Sequence, residues 1–264
     1  MTLPTHRVFA VGRYQSSCAV SALPRQNVQR MLPPQLSLAE QTLTNPDEHP
    51  VLFMFGSHSG VKPVFLPISG SSYREFILAI PYLRSSGRRF RSPDIGVSGH
   101  LGADAQADPV AHMSRLYLDK WAPTMAGWVY GYPKQRARIR STENSYSIAS
   151  YLGGRPLIRE TTVTALEPPQ SSPPDFSAIA PMFEQPFVQT YYGGFVACSV
   201  MTFHLDSATI RSATMQMTIE RSFLPGLEIG EKQFSGIDQT PLGSFQIDVS
   251  WSLSYPMTPG SLGT

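Results

Sequence analysis

The chain is 264 residues long, 41% hydrophobic and only 15% charged, with a net charge of +2. A charged fraction well under the ~25% of an average soluble domain, together with 14 Phe and 11 Tyr, excludes an intrinsically disordered chain and demands a sizeable core. The 24 prolines and 20 glycines follow no period, which excludes a coiled coil or long-helix protein and points to many short strands and turns.

Taken in chain order, residues 7–14 read as a first strand. Val28, Met31 and Leu32 stand at helical spacing, giving a short helix over 25–32 that stops at Pro33-Pro34. A polar loop over 41–50 leads to Val51-Leu52-Phe53-Met54-Phe55, a continuous apolar run expected to be a strand buried on both faces. Residues 73–81 form the next strand. The Gly, Ser, Asp and Arg-rich stretch over 85–108 reads as a long loop, and 113–119 as a strand. Trp121 to Lys134 fits a helix and a tight turn. The second half reads as strands over 146–151, 157–165, 187–191, 194–204, 208–219 and 244–254, with 167–174 as a Pro-rich surface linker. No strand–helix–strand alternation and no Gly-rich phosphate loop is evident, so a doubly wound nucleotide-binding fold has no support. The expected organisation is one domain over 1–255 and a frayed tail over 256–264.

No apolar run approaches the ~18 residues needed to span a bilayer, and the start, Met1 to Arg7, does not read as a secretory signal. The small positive excess forms no basic arm. A cytoplasmic protein that contacts neither membrane nor nucleic acid is the expectation. Cys18 and Cys198 have small or apolar neighbours and read as buried free thiols. The six histidines show no metal-ligand spacing, so no metal is proposed, and no cofactor motif is found.

Of the 21 basic residues only four are lysines: Lys62, Lys120, Lys134 and Lys232. Guanidinium does not deprotonate, so amine chemistry falls to these four or the N-terminus. Lys134 follows Trp128, Tyr130, Tyr132 and Pro133, surroundings that strip hydration and lower an amine pKa. A neutral amine is what Schiff-base formation with a ketone requires. The alternative is an ordinary surface lysine after a turn. In an extended segment from Lys134, Arg136, Arg138 and Arg140 share its face, and Arg136 is placed either to depress that pKa or to hold a substrate carboxylate, unless the row is a solvated strand edge. Glu75 opens an apolar strand, where desolvation raises a carboxyl pKa and suits proton transfer, or where it pairs with Arg74 or Arg84. Tyr73 lies two residues earlier on the same face.

Three motifs in order carry a family resemblance. Leu116-Tyr117-Leu118-Asp119 leads into Gly131-Tyr132-Pro133-Lys134. Upstream stand Tyr73-Arg74-Glu75 with Ala79-Ile80-Pro81, and the short helix ending Val28-Gln29-Arg30-Met31-Leu32-Pro33. Together these resemble the acetoacetate decarboxylase family, over roughly residues 6–140. The resemblance implies that Lys134 forms the Schiff base and that Glu75 is an active-site acid. It implies an active-site arginine at Arg7 or Arg13, and a second acidic residue at about Phe55. The family's second lysine position is Gln135 here, and its Arg-Glu pair after the glycine is Trp128-Val129. Tyr73, Arg7, Arg13, Gln135, Arg136, Tyr132 and Trp128 are the substrate-binding candidates.

The resemblance further implies a mainly antiparallel β (α+β) fold, with barrel-like sheets around an apolar cavity and one or two short helices. A homo-oligomer is expected, both from the family and from the low charge density. The expected activity is a Schiff-base lyase acting on a small keto acid, by decarboxylation of a β-keto acid. A pyruvate-type aldolase–dehydratase is the alternative within the family. A non-catalytic barrel that binds a small ligand is the alternative of another class.

Overall fold

The computed structural model describes residues 7–67, 69–85, 90–91, 98–99, 109–129, 132, 134–142, 144–166, 174–190, 196–220, 223, 231–235 and 243–255. The first half holds β1 (Val8–Pro24), α1 (Arg25–Arg30), β2 (Leu36–Leu38), β3 (Glu48–Pro63), β4 (Ser71–Ser85), β5 (Phe90–Arg91), β6 (Ser98–Gly99) and β7 (Val110–Leu118). The second half holds α2 (Trp121–Val129), β8 (Gln135–Ser141), β9 (Ser145–Ser150), β10 (Pro156–Ala165), α3 (Ala180–Glu184), β11 (Phe187–Thr190), β12 (Val196–Ser199), β13 (Met201–Phe203), β14 (Thr209–Ile219), β15 (Glu231–Ser235) and β16 (Ser244–Ser254). The expected tail over 256–264 and linker over 167–173 lie outside the described residues, as does most of the expected loop over 85–108.

The main sheet runs β7-β8-β9-β10-β14-β16-β1-β3-β4, and β4 pairs back with β7, so these nine strands close into a ring. Closure removes the free edges that an open sheet of this length would expose. Every ring pairing is antiparallel except β7–β8, where Tyr117 and Leu118 run parallel to Gln135 and Arg136. A parallel pair needs a crossover, and α2 supplies it. This strand–helix–strand unit delivers Lys134 to the head of β8.

Strands β3 and β4 bury both faces, as the apolar runs require. Val51, Phe53, Phe55, Phe76, Leu78 and Ile80 join one core. Leu52, Met54, Tyr73, Ile77 and Ala79 join the other, with Trp251 and Phe183. Phe55 packs against Phe76 at 4.9 Å in the first core, so it faces away from Glu75 and the acidic position expected there is filled by a core aromatic.

Several elements exceed their expected bounds. β1 continues to Pro24 through Ser16-Ser17-Cys18-Ala19, small residues without alternation, because β3 and β16 pair with it on both sides. The short helix α3 and strand β15 were also not foreseen. α3 packs Met182 and Phe183 into the second core, so its apolar face is explained by tertiary contact.

Candidate active site

The site begins with the β3–β4 hairpin. Its register sets His58 opposite Tyr73 and Gly56 opposite Glu75, and β1 places Tyr14 opposite His58. The three rings therefore form a cross-strand row, with His58 stacked 4.3 Å from Tyr14 and 4.8 Å from Tyr73. Gly56 is required here: a Cβ would come within 2.7 Å of the Tyr14 hydroxyl. Glu75 is diagonal to His58, and its Oε1 accepts a 2.6 Å hydrogen bond from His58 Nε2. Trp251 of β16 donates its indole N–H to His58 Nδ1 at 3.0 Å. Indole nitrogen only donates, so Nδ1 must accept and the ring proton sits on Nε2, facing Glu75.

The β4–β7 pairing brings the two upstream motifs together, with Glu75 opposite Leu118. Asp119 accepts from the Arg74 backbone N–H at 2.9 Å and returns its own N–H to the Arg74 carbonyl at 3.2 Å, tying the end of β7 to the strand that carries Glu75. After α2 the chain folds back. Tyr132 N–H donates to the Gly127 carbonyl at 2.7 Å, and Lys134 N–H to the Tyr132 carbonyl at 2.7 Å. The Lys134 stem consequently lies on Gly127, where a Cβ would fall on Cδ and come within 2.7 Å of Cγ. Lys134 Nζ sits 5.8 Å from the Tyr73 ring centroid and 5.9 Å from that of Tyr132. These distances are at the outer limit of cation–π attraction, so the rings serve mainly to exclude water.

Lys134, Glu75, Tyr73, Tyr132 and His58 line one cavity of about 440 Å³. Its remaining wall is largely apolar, including Phe9, Ile77, Met113, Leu116, Met201 and Trp251, with Lys62 also lining it. Burial lowers the Lys134 amine pKa, and the Glu75 carboxylate opposes that shift without cancelling it. For Glu75 the expected direction is reversed. Burial does push its carboxyl upward, but the hydrogen bond donated by His58 and the attraction of the Lys134 charge hold it below the ordinary value. Burial, reinforced by Glu75, keeps the Tyr73 phenol well above its usual range, so it stays a hydrogen-bond donor.

The other candidates lie elsewhere. Arg13 pairs with Asp248 through Nε at 2.5 Å and Nη2 at 2.9 Å, on an exposed stretch of β1. Arg7 stands 5.6 Å from the Tyr255 ring. Gln135 is exposed, and the Arg136 guanidinium lies 3.9 Å over the Tyr151 ring. None of these four lines the cavity. The Trp128 side chain and Tyr130 lie outside the described residues. Sequence reasoning missed His58, Trp251 and Lys62. Only the hairpin register could have revealed His58, which sits seventeen positions before Glu75. Among the described residues no cluster of three or more His, Cys, Asp or Glu could hold a metal ion, and no helix is long and apolar enough to cross a membrane.

The acetoacetate decarboxylase family model matches residues 19–223, a span that includes His58, Tyr73, Glu75, Tyr132 and Lys134 but not Phe9, Tyr14 or Trp251. The chain belongs to the acetoacetate decarboxylase family. Solved structures share its fold at low identity. The enduracididine biosynthesis enzyme MppR complexed with pyruvate matches with a TM-score of 0.61 and 15% identity, over 98% of this chain and 91% of that one. Acetoacetate decarboxylase from Legionella pneumophila matches with a TM-score of 0.55 and 13% identity, over 97% and 89%. An acetoacetate decarboxylase-like enzyme from Sphingomonas wittichii gives 0.54 and 12%, over 95% and 93%. No curated protein matches the sequence.

Proposed function

We propose that this family member is a lyase that decarboxylates a β-keto acid through a Schiff base on Lys134. The observation that carries the reading is a lysine with a burial-depressed pKa, beside a carboxylate, in an apolar cavity. Lys134 Nζ in its neutral form adds to the substrate carbonyl carbon, and the carbonyl oxygen leaves as water. The iminium then draws the electron pair of the carbon–carboxylate bond as carbon dioxide departs, giving an enamine. A proton returns to the enamine carbon, and water hydrolyses the iminium to release the ketone and the free lysine. Glu75 is the group placed to move these protons. His58 holds it ionised and oriented, and Tyr73 can donate to a substrate oxygen.

The apolar wall suits loss of carbon dioxide, because a carboxylate gives up its charge in that step and needs no cation to hold the product. Borohydride in the presence of acetoacetate should add the mass of a reduced adduct to the wild type and none to Lys134→Ala. Absence of an adduct with any keto acid would favour a non-catalytic binding barrel.

The aldolase–dehydratase reading shares the same iminium. Its specific support is the cavity volume, which leaves room for a second electrophile, and the neighbour MppR, described in complex with the condensation product of pyruvate and imidazole 4-carboxaldehyde. Parallel assays with acetoacetate, and with pyruvate plus an aldehyde, separate the two. A homo-oligomer is also part of the proposal: Trp121, Tyr151 and Leu152, exposed at 54%, 42% and 84%, offer apolar surface to a second copy. Light scattering showing a monomer at micromolar concentration would count against it.

A further inference from the structure

The cavity is too large and too apolar for the keto acids used as probes above. At the ~30 Å³ each water occupies in the liquid, the seven heavy atoms of acetoacetate need only about 200 Å³. The cavity measures about 440 Å³. The surplus is not polar space that water would occupy to advantage. Beyond the group formed by Lys134, Glu75 and His58, the wall from β1, the end of β3 and the residues after it, β13 and β16 includes Phe9, Val61, Phe65, Leu66, Met201 and Leu253, with Ser254 and the exposed Lys62, Ser69 and Ser71 as its polar members. Phe65 and Leu66 are 52% and 42% exposed, and Phe65 lies 5.9 Å from Phe9, so apolar side chains extend from the interior of the cavity to the surface. A ligand that left this wall wet would forfeit most of the burial energy the site offers.

Resting on the Schiff-base reading, we propose that the substrate is a β-keto acid whose carbonyl carbon carries a bulky apolar group, aryl or medium-length alkyl, seated on this wall. The volume left beyond an acetoacetate-sized head accommodates on the order of eight further heavy atoms. The carbonyl reaches Lys134, the carboxylate leaves as carbon dioxide as described above, and the product is the corresponding aryl or alkyl methyl ketone.

The test compares borohydride trapping and decarboxylation for acetoacetate, 3-oxohexanoate, 3-oxooctanoate and 3-oxo-3-phenylpropanoate. Each buried methylene should raise kcat/KM roughly fourfold, so 3-oxooctanoate should exceed acetoacetate by about 200-fold. Phe65→Ser, at a half-exposed position where folding tolerates the change, should reduce that ratio severalfold. Adducts that form on Lys134 with equal or falling efficiency along the series would leave the Schiff base standing and overturn the substrate class. An unchanged ratio in Phe65→Ser would overturn the assigned seat. Failure of every keto acid to form an adduct would remove the Schiff base and this proposal with it.

Discussion

Gly127 offers the sharpest separation of stability from chemistry. It lies inside α2, and a Cβ there would fall on Lys134 Cδ while standing 2.7 Å from Cγ and 2.8 Å from Cε. Carbon atoms in contact rest at ~3.5–4.0 Å, so Gly127→Ala must push the lysine stem aside by about 1 Å. A lysine stem is flexible enough to yield, which is the reason the change is informative. The helix itself gains, since alanine exceeds glycine in helix propensity by ~1 kcal/mol. The expected variant therefore folds with unchanged or slightly higher thermal stability but presents its amine out of place. Misplacement of a reacting group by about 1 Å can cost on the order of 10²-fold. The assay is the rate of borohydride-trapped adduct on Lys134 with a keto acid, measured beside the melting temperature. A variant that traps at the wild-type rate would refute the claim that this glycine exists to seat the lysine. A large fall in melting temperature would show instead that the glycine serves the helix.

Other perturbations follow from the same geometry. Glu75 raises the Lys134 pKa against the effect of burial, so Glu75→Gln should move the pH midpoint for Lys134 acylation by a small neutral reagent downward, while turnover falls by ~10²–10⁴-fold; an unmoved midpoint would show the two groups are not coupled. The indole donates to His58 Nδ1 and the Glu75 carboxylate accepts from Nε2, so nitrogen NMR should show an unprotonated Nδ1 in the wild type, and Trp251→Phe should lose ~1 kcal/mol of stability; a protonated Nδ1 in the wild type would refute the assigned tautomer. His49 is fully buried against the Pro81 carbonyl at 2.8 Å, and burial pushes its pKa down from 6.5 to about 4. The unfolded chain takes up this proton first, so stability present above pH 6.5 should decline by up to ~3 kcal/mol as pH falls toward 4. Urea midpoints across that window should flatten in His49→Gln, and an identical slope would assign the loss to other groups.

Much of this protein was legible from residue order. The apolar run at 51–55 announces a strand buried on both faces, 73–81 a strand whose polar start gives way to apolar residues, and scarcity of lysine directs attention to Lys134 after its aromatic stretch. Period-two spacing places Tyr73 and Glu75 on one face, where the cavity has them. Local pattern could go no further, because the environment of a charged group is set by partners distant in sequence. Glu75 reads as a desolvated acid with a raised pKa until the hairpin register brings His58 to 2.6 Å and reverses the sign. The same holds for the arginines: period-two spacing offers Arg136 to the lysine, but stacking on Tyr151 draws it away, and Asp248, 235 residues from Arg13 in the chain, claims the other. Composition and spacing determine which strands form and which face a side chain takes. Ring closure, strand register and the fold-back of α2 onto Lys134 decide which of those faces meet, because a register is a choice among pairings that only the packed whole distinguishes.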